Sequence, residues 1–434
     1  MTINLKNFLK DKPKMSKMGE FQQLEEIDGL EISAVSADLY GSGRDDLCLF
    51  YFKDGANYGA VYTNNSICSE SITWNRNIRK KFIKALLVNT KNANTFTGQQ
   101  GQEGLDSISK SLAKNLTLKE SQKKDGTRNV IKPNELLFAS TGVIGEKFPT
   151  QQIKGNLPNL VDKLRDRHNK FVWFKAASSI MTTDTRPKLA YEECRLWNKD
   201  IRLCGIAKGS GMIAPNMATT LAFVFTDADI PSIYLKSLLK KTIPNSFNAI
   251  TVDSDTSTND MIAIFSTNKV KTGKIYNILD PKLKDFEKAL QRLLTNLAKQ
   301  VVADGEGAKK FITVRVINAR SQQMAKNIAF SIANSPLFKT AMAGEDPNWG
   351  RVIMGIGKSG EKISPEKIEI KFGELKVAEK GKISEDYDEE KLKEYMKWNS
   401  ILVEVNLKLG QGSFECYTCD LTKDYIDINA DYRN

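Results

Sequence analysis

The sequence predicts a mixed α/β fold in which helices cover sheets. Three observations carry that expectation. Short β-like runs alternate with helical runs along the whole chain, without a strict strand–helix–strand period. From Phe286 to Val302 the apolar residues Phe286, Leu290, Leu293, Leu294, Leu297 and Val301 fall on one helical face, and Ile312, Val314 and Val316 then alternate as a strand whose other face is polar. A continuous apolar run, LAFVF at 221–225, opens directly after a stretch rich in Gly, Pro and Asn, as a buried strand would.

The other elements follow in order. Residues 33–40 and 46–52 read as strands, and 84–88 as another buried one. The Asn/Gly cluster NTKNANTFTGQQGQEG, 89–104, reads as a loop. Residues 321–334 form a second amphipathic pattern stopped by Ser335-Pro336, and Leu402, Val403, Val405 and Leu407 mark a late strand. GIGKSG at 355–360 imitates a phosphate loop, but Val352 stands where Walker A needs glycine, and the segment after it alternates like a strand. A Gly-rich hairpin is expected there.

Bulk properties narrow the class. A chain of 434 residues is longer than one compact core normally serves, so two domains or two processed subunits are expected. No stretch approaches the roughly 18–20 apolar residues of a membrane helix. The start, MTINLKNFLKDKPKMSKMG, has no apolar signal region, which points to the cytoplasm. Six cysteines in such a chain make no disulfide framework, and Cys416 and Cys419 sit in a strand-like run where a structural role is expected. The net charge of +12 raises nucleic-acid binding. Lys and Arg are spread beside Asp and Glu, however, and no zinc-finger or RNP-like signature appears. The single histidine, His168, lies in the charged run KLRDRHNKF, which reads as an exposed helix end. His-rich metal sites are thereby excluded, and an α-amino group, with an unperturbed pKa near ~7.7–8.0, becomes the natural base at neutral pH.

The most unusual stretch is 203–228, LCGIAKGSGMIAPNMATTLAFVFTDA. A buried strand that starts directly after a small-residue loop suits a self-cleaving amide. The Thr219 hydroxyl can attack the Ala218 carbonyl, giving an ester that water opens. Thr219 would then carry a free amine beside its own hydroxyl, the N-terminal-Thr variant of nucleophilic catalysis. Ala-Thr pairs are common and usually inert, so residue types alone leave the point open.

KGSGMIAPNMAT followed by an apolar strand and TDA resembles the self-processing junction of the ornithine acetyltransferase family, also called glutamate N-acetyltransferase. The likeness extends over nearly the whole chain. It includes STGVIGEKFP at 140–149, MTTDTRPK at 181–188, GEGAKKFITV at 305–314, AKNIAFSIANSPLFKTA at 325–341, GEDPNWGR at 344–351 and INADYRN at 428–434. The resemblance implies a self-cleaving acyltransferase that needs no metal or organic cofactor. It would move acetyl from N2-acetylornithine to L-glutamate through acetyl-Thr219 in arginine biosynthesis, and some family members also accept acetyl-CoA. Cleavage between Ala218 and Thr219 would give chains 1–218 and 219–434, which stay together and pair as α2β2.

The implied roles fall on named residues. Thr219 is the nucleophile, and Thr141 with Gly142 forms the oxyanion hole. Lys208 and Thr182 bind substrate, the cation suiting an α-carboxylate. Glu306 meets the ornithine ammonium, while Asn429 and Asn434 close over the site. Two positions depart from the family pattern. Asn434 ends the chain where Ser or Thr is usual, and Lys91 replaces a glycine of the Asn/Ala/Gly loop. Glu345 and Arg351 in GEDPNWGR are read as bracing rather than catalytic. Two other readings remain: a self-processing Thr hydrolase or aminopeptidase, and a basic nucleic-acid-binding protein.

Overall fold

The structure, a computed structural model, describes residues 24–122, 130–214 and 220–431. The described residues form two sheets. The first contains β1 (Leu30–Val35), β2 (Leu47–Tyr62), β3 (Phe82–Asn89), β4 (Leu136–Ser140), β5 (Lys188–Leu196), β6 (Lys199–Lys208), β7 (Leu221–Ala228) and β8 (Met261–Val270). Its order is β4-β3-β2-β8-β7-β6-β5, with β1 paired to β2. The second contains β9 (Phe311–Ala319), β10 (Glu369–Phe372), β11 (Leu375–Glu379), β12 (Lys382–Ile383), β13 (Ser400–Asn406) and β14 (Gly412–Cys419), in the order β12-β11-β10-β13-β9-β14. Both mix orientations: β7 runs parallel to β8 and β9 to β13, while β2–β8 and β6–β7 are antiparallel.

The helices are α1 (Glu70–Asn77), α2 (Gly98–Ser121), α3 (Thr150–Asp162), α4 (Lys170–Ser179), α5 (Ser232–Thr242), α6 (Leu283–Ala303), α7 (Gln322–Ala333), α8 (Pro336–Ala343), α9 (Trp349–Gly357), α10 (Glu389–Met396) and α11 (Lys423–Ala430). None of them is long and apolar enough to cross a membrane.

The apolar stripe of α6 explains how the sheets meet. Phe286, Leu290, Leu293, Leu294, Leu297 and Val301 are all fully buried, and the helix packs on β5 and β6 and reaches β14. One core therefore joins Ala222, Val224, Ile262 and Ile264 of the first sheet to Ile312, Val314, Val316 and Val403 of the second. On the opposite face of the first sheet, Phe223, Phe225 and Phe265 pack with Phe50, Phe52 and Trp173. Covered on both faces, β7 has no polar side, which is why LAFVF is continuously apolar. Burying each such side chain contributes about 1.5–3 kcal/mol.

Four expectations need correction. The strand at 33–40 ends at Val35, because the Asp46 carboxylate accepts from the Ala37 and Leu39 backbone N–H groups at 2.6 and 2.7 Å and folds the chain back into β2. The loop at 89–104 becomes helical from Gly98, drawn in by Leu105, Ile108, Leu112 and Leu116 at helical spacing against the third core cluster. GIGKSG is the end of α9 and its exit, not a hairpin: Val352, Gly355 and Ile356 form a buried helical face. His168 is 1% exposed rather than on the surface, with its ring edge-on to Trp173 at 5.7 Å, and burial pushes its pKa down. Cys416 and Cys419 are free, buried side chains of β14.

Candidate active site

One cavity of about 150 Å³ gathers most of the residues singled out above. Thr141, Gly142, Thr182, Lys208, Glu306 and Asn429 all line it, together with Thr220, Ser257 and Asp260. Ala218, Thr219 and Asn434 lie outside the described residues. Glu345 and Arg351 do not line the cavity; Glu345 accepts from Lys310 at 2.9 Å and Arg351 donates to Thr340 at 3.2 Å.

Thr141 and Gly142 follow the end of β4. The Thr141 N–H donates to the Asn89 carbonyl at 3.1 Å, and Asn259 donates to Ser140 and Ala93 carbonyls at 2.8 and 2.5 Å. Gly142 has φ +132°, and a Cβ there would sit 2.1 Å from the Lys91 carbonyl carbon. Only glycine fits this approach. The partner backbone is the Asn/Ala loop itself, closed by the Val143 N–H donating to the Lys91 carbonyl at 2.9 Å. Lys91 stands at φ +69°, a left-handed conformation that favours glycine. The lysine departure therefore keeps the turn that a glycine would make, with strain in the backbone rather than a new path.

Lys208 ends β6, and its Nζ donates to Thr141 Oγ1 at 3.2 Å. Burial pushes its pKa down, and the carboxylates of Asp184, Asp260 and Glu306 oppose that shift. Thr182 is held by its backbone N–H, which donates to Asp184 at 3.0 Å; the Gly209 N–H donates to the same carboxylate at 2.6 Å. Glu306 is tied through its N–H to the Ser210 carbonyl at 3.0 Å, and its Oε2 accepts from Asn429 Nδ2 at 2.7 Å. A Cβ on Gly211 would lie 2.3 Å from the Glu306 carboxylate, so glycine is what lets the loop pass over it.

A buried ionic network that sequence reasoning missed supports these groups. Lys188 Nζ donates to Asp184 Oδ1 and Asp304 Oδ2, each at 2.5 Å, with all three side chains buried. Asp304 also accepts from the Thr185 and Arg186 backbone at 3.0 and 3.2 Å. Burial would raise the Asp184 carboxyl, but Lys188 and Lys208 hold it well below the usual carboxylate range. The network thus ties the Thr182 turn and Gly209 to the chain just before Glu306. Asp260 was missed as well: burial pushes its carboxyl well above the ordinary range, against the pull of Ser257 and Lys208.

A half-buried cation, a carboxylate–amide pair and a hydroxyl beside a left-handed glycine share one cavity, the polar lining of an enzyme site. The comparisons with known proteins give that class its family. The chain belongs to the ArgJ family, whose model matches residues 31–434. The arginine biosynthesis bifunctional protein ArgJ of Gluconobacter oxydans is 43% identical over 412 residues, covering 95% of this chain and 93% of its own. Its counterpart from Brucella melitensis is 42% identical over 412 residues, covering 94% and 96%. The solved arginine biosynthesis bifunctional protein argJ of Bacillus halodurans is 39% identical, with a TM-score of 0.46 over 48% of this chain and 97% of that one.

Proposed function

We infer that this chain is an ornithine acetyltransferase of arginine biosynthesis, acting in the cytoplasm. It cuts itself between Ala218 and Thr219, and Thr219 then carries acetyl from N2-acetylornithine to L-glutamate. The observation that supports this most is the single cavity, which brings Thr141, Gly142, Lys208, Thr182, Glu306 and Asn429 to the residue that follows Thr219 in sequence. In this reading Lys208 takes the α-carboxylate common to both substrates. Glu306 accepts the ornithine ammonium, and Asn429, whose amide donates to Glu306, helps close over the substrate. The Thr141 hydroxyl and the Gly142 N–H hold the oxyanion of each tetrahedral intermediate. Asn434 closes over the bound amino acid. The relatives are named bifunctional; acetyl-CoA, which the family resemblance raises as a second donor, is tested by supplying it in place of N2-acetylornithine. Chains 1–218 and 219–434 assemble as α2β2.

Incubation with N2-acetylornithine alone is the test. One acetyl mass should appear on a fragment that begins Thr219-Thr220-Leu221, and exchange with glutamate should give parallel double-reciprocal lines. A wild-type chain that stays uncut overturns the reading. Intersecting lines without an acetylated fragment do the same. Acetyl lost to water rather than passed to glutamate would identify a self-processing hydrolase instead.

A further inference from the structure

A second cavity, of about 490 Å³, shares no lining residue with the candidate active site. Its volume falls in the range of roughly 300–1,000 Å³ typical of sites for small molecules. Three segments wall it: residues 58–62 of β2, the end of α1 with the turn after it at 75–81, and α5. One hydroxyl fastens them together. Ser232 Oγ accepts from the Tyr58 N–H at 3.0 Å and donates to the Lys81 carbonyl. Gly59 lets α5 lie directly on the strand, since a Cβ there would sit 2.5 Å from the Lys236 backbone nitrogen.

The lining is strongly cationic. Arg76, Arg79, Lys80, Lys81, Lys236 and Lys240 all contribute to it, and no Asp or Glu does. Arg76 and Lys80 have protein partners, the Thr63 carbonyl at 2.6 Å and the Glu135 carboxylate at 3.0 Å. Arg79, Lys81, Lys236 and Lys240 have no ion pair among the described residues, although Lys241, next in α5, pairs with Glu287 at 2.7 Å. Lys236 and Lys240 stand one turn apart on the helix, a like-charge spacing that weakens it. Folding gains nothing by bringing these two and the Arg79–Lys81 run to one cavity. A bound anion would turn that repulsion into attraction.

We propose that this cavity binds a small molecule through a diphosphate group. Phosphate spreads its charge over several oxygens, so the planar Arg79 fork and the separate lysine ammonium groups can be engaged together. A single phosphate monoester brings about two negative charges at neutral pH, and four unpaired cations call for a second phosphate. The N–H groups in the first turn of α5, at Ser232 and Ile233 of the lining, add partial positive charge to the same space. The cations surround one cavity rather than forming a stripe along the surface, which favours a small molecule over a nucleic-acid backbone.

Titration calorimetry on the purified wild-type protein, with pyrophosphate and with ADP, is the test, and it is independent of acetyl transfer. Both should bind, several-fold more weakly when salt rises from about 0.05 to about 0.2 M. Lys236→Glu combined with Lys240→Glu should weaken binding at least about 10-fold, and Arg79→Glu combined with Lys81→Glu should do the same from another wall. Lys362→Glu combined with Lys367→Glu makes the same change in net charge on exposed residues just before β10, and should leave affinity within about two-fold. If the acidic pair on α5 melts lower than wild type, Lys236→Gln combined with Lys240→Gln takes its place. ADP binding more tightly than pyrophosphate would assign the group to a nucleotide, and equal affinities would assign the diphosphate alone. Failure of both ligands to bind overturns the proposal. So does binding that neither wall pair weakens, or that the Lys362 and Lys367 pair weakens equally. A single-stranded oligonucleotide that binds where both small diphosphates fail would make the cavity part of a nucleic-acid surface instead, and overturns it too.

Discussion

Replacing Lys188 by methionine should destabilise the protein by about 3 kcal/mol, and the loss should shrink as the pH falls. The ammonium lies 2.5 Å from both Asp184 and Asp304, and the lysine side chain is 1% exposed. Removing one partner from a buried ionic cluster costs about 3–5 kcal/mol, because the charges left behind stay buried. The lower end applies here. Asp184 keeps the Gly209 and Thr182 N–H donors and the field of Lys208, and Asp304 keeps the Thr185 and Arg186 backbone. At roughly 2 °C per kcal/mol for a long chain, the thermal midpoint falls by about 6 °C. The pH dependence follows from Asp184, whose carboxyl is held below its ordinary range. In the wild type its contribution is complete above the unfolded carboxylate range and is lost only as pH drops through the lowered pKa. Without Lys188 the carboxylate takes up a proton at a higher pH, so the gap between variant and wild type narrows from pH 7 to pH 4. Thermal melts in the uncut Thr219→Ala background keep both proteins as single chains. A loss below about 1 kcal/mol, or a gap of equal size at the two pH values, refutes the reasoning.

Two further changes probe the cavity directly. Thr141→Ala should lower kcat by roughly 10²-fold or more and leave the fold intact, as for a lost oxyanion donor; a change confined to KM would make Thr141 a binding residue. Lys208→Met should weaken both half-reactions by about 1.5–3 kcal/mol in kcat/KM, and impairment toward one amino acid alone would show that the two α-carboxylates do not share a cation.

Much of this fold was legible where one physical signal dominated. The α6 stripe and the alternation of β9 follow from burial on one face, and LAFVF from burial on both. The signal failed where a tertiary contact decided the outcome. His168 looks solvated among Arg and Lys, yet its ring turns inward onto Trp173, which no local pattern records. GIGKSG looks like a turn because glycines are usually read as punctuation, whereas Gly355 is where α9 packs on Ile332. In the site, the lining residues were named from a family likeness, while Asp184, Lys188 and Asp304 were passed over. Isolated acidic and basic residues read as surface charge, and only a long-range pairing reveals them as buried. Their one local trace is position: Asp184 lies two residues beyond Thr182, and Asp304 two before Glu306.

The order of the first sheet bears on how such a chain could ever be produced in pieces. Strands β7 and β8, which follow Thr219 in sequence, occupy its centre, with β2 paired to one side and β6 to the other. A fragment 219–434 made separately would present two long apolar strands with open ladders on both flanks, a template for aggregation. A fragment 1–218 would have a gap where those strands belong. Scission is therefore tolerable only after the strands have been threaded, and two genes encoding the halves would have to meet before either polypeptide had settled.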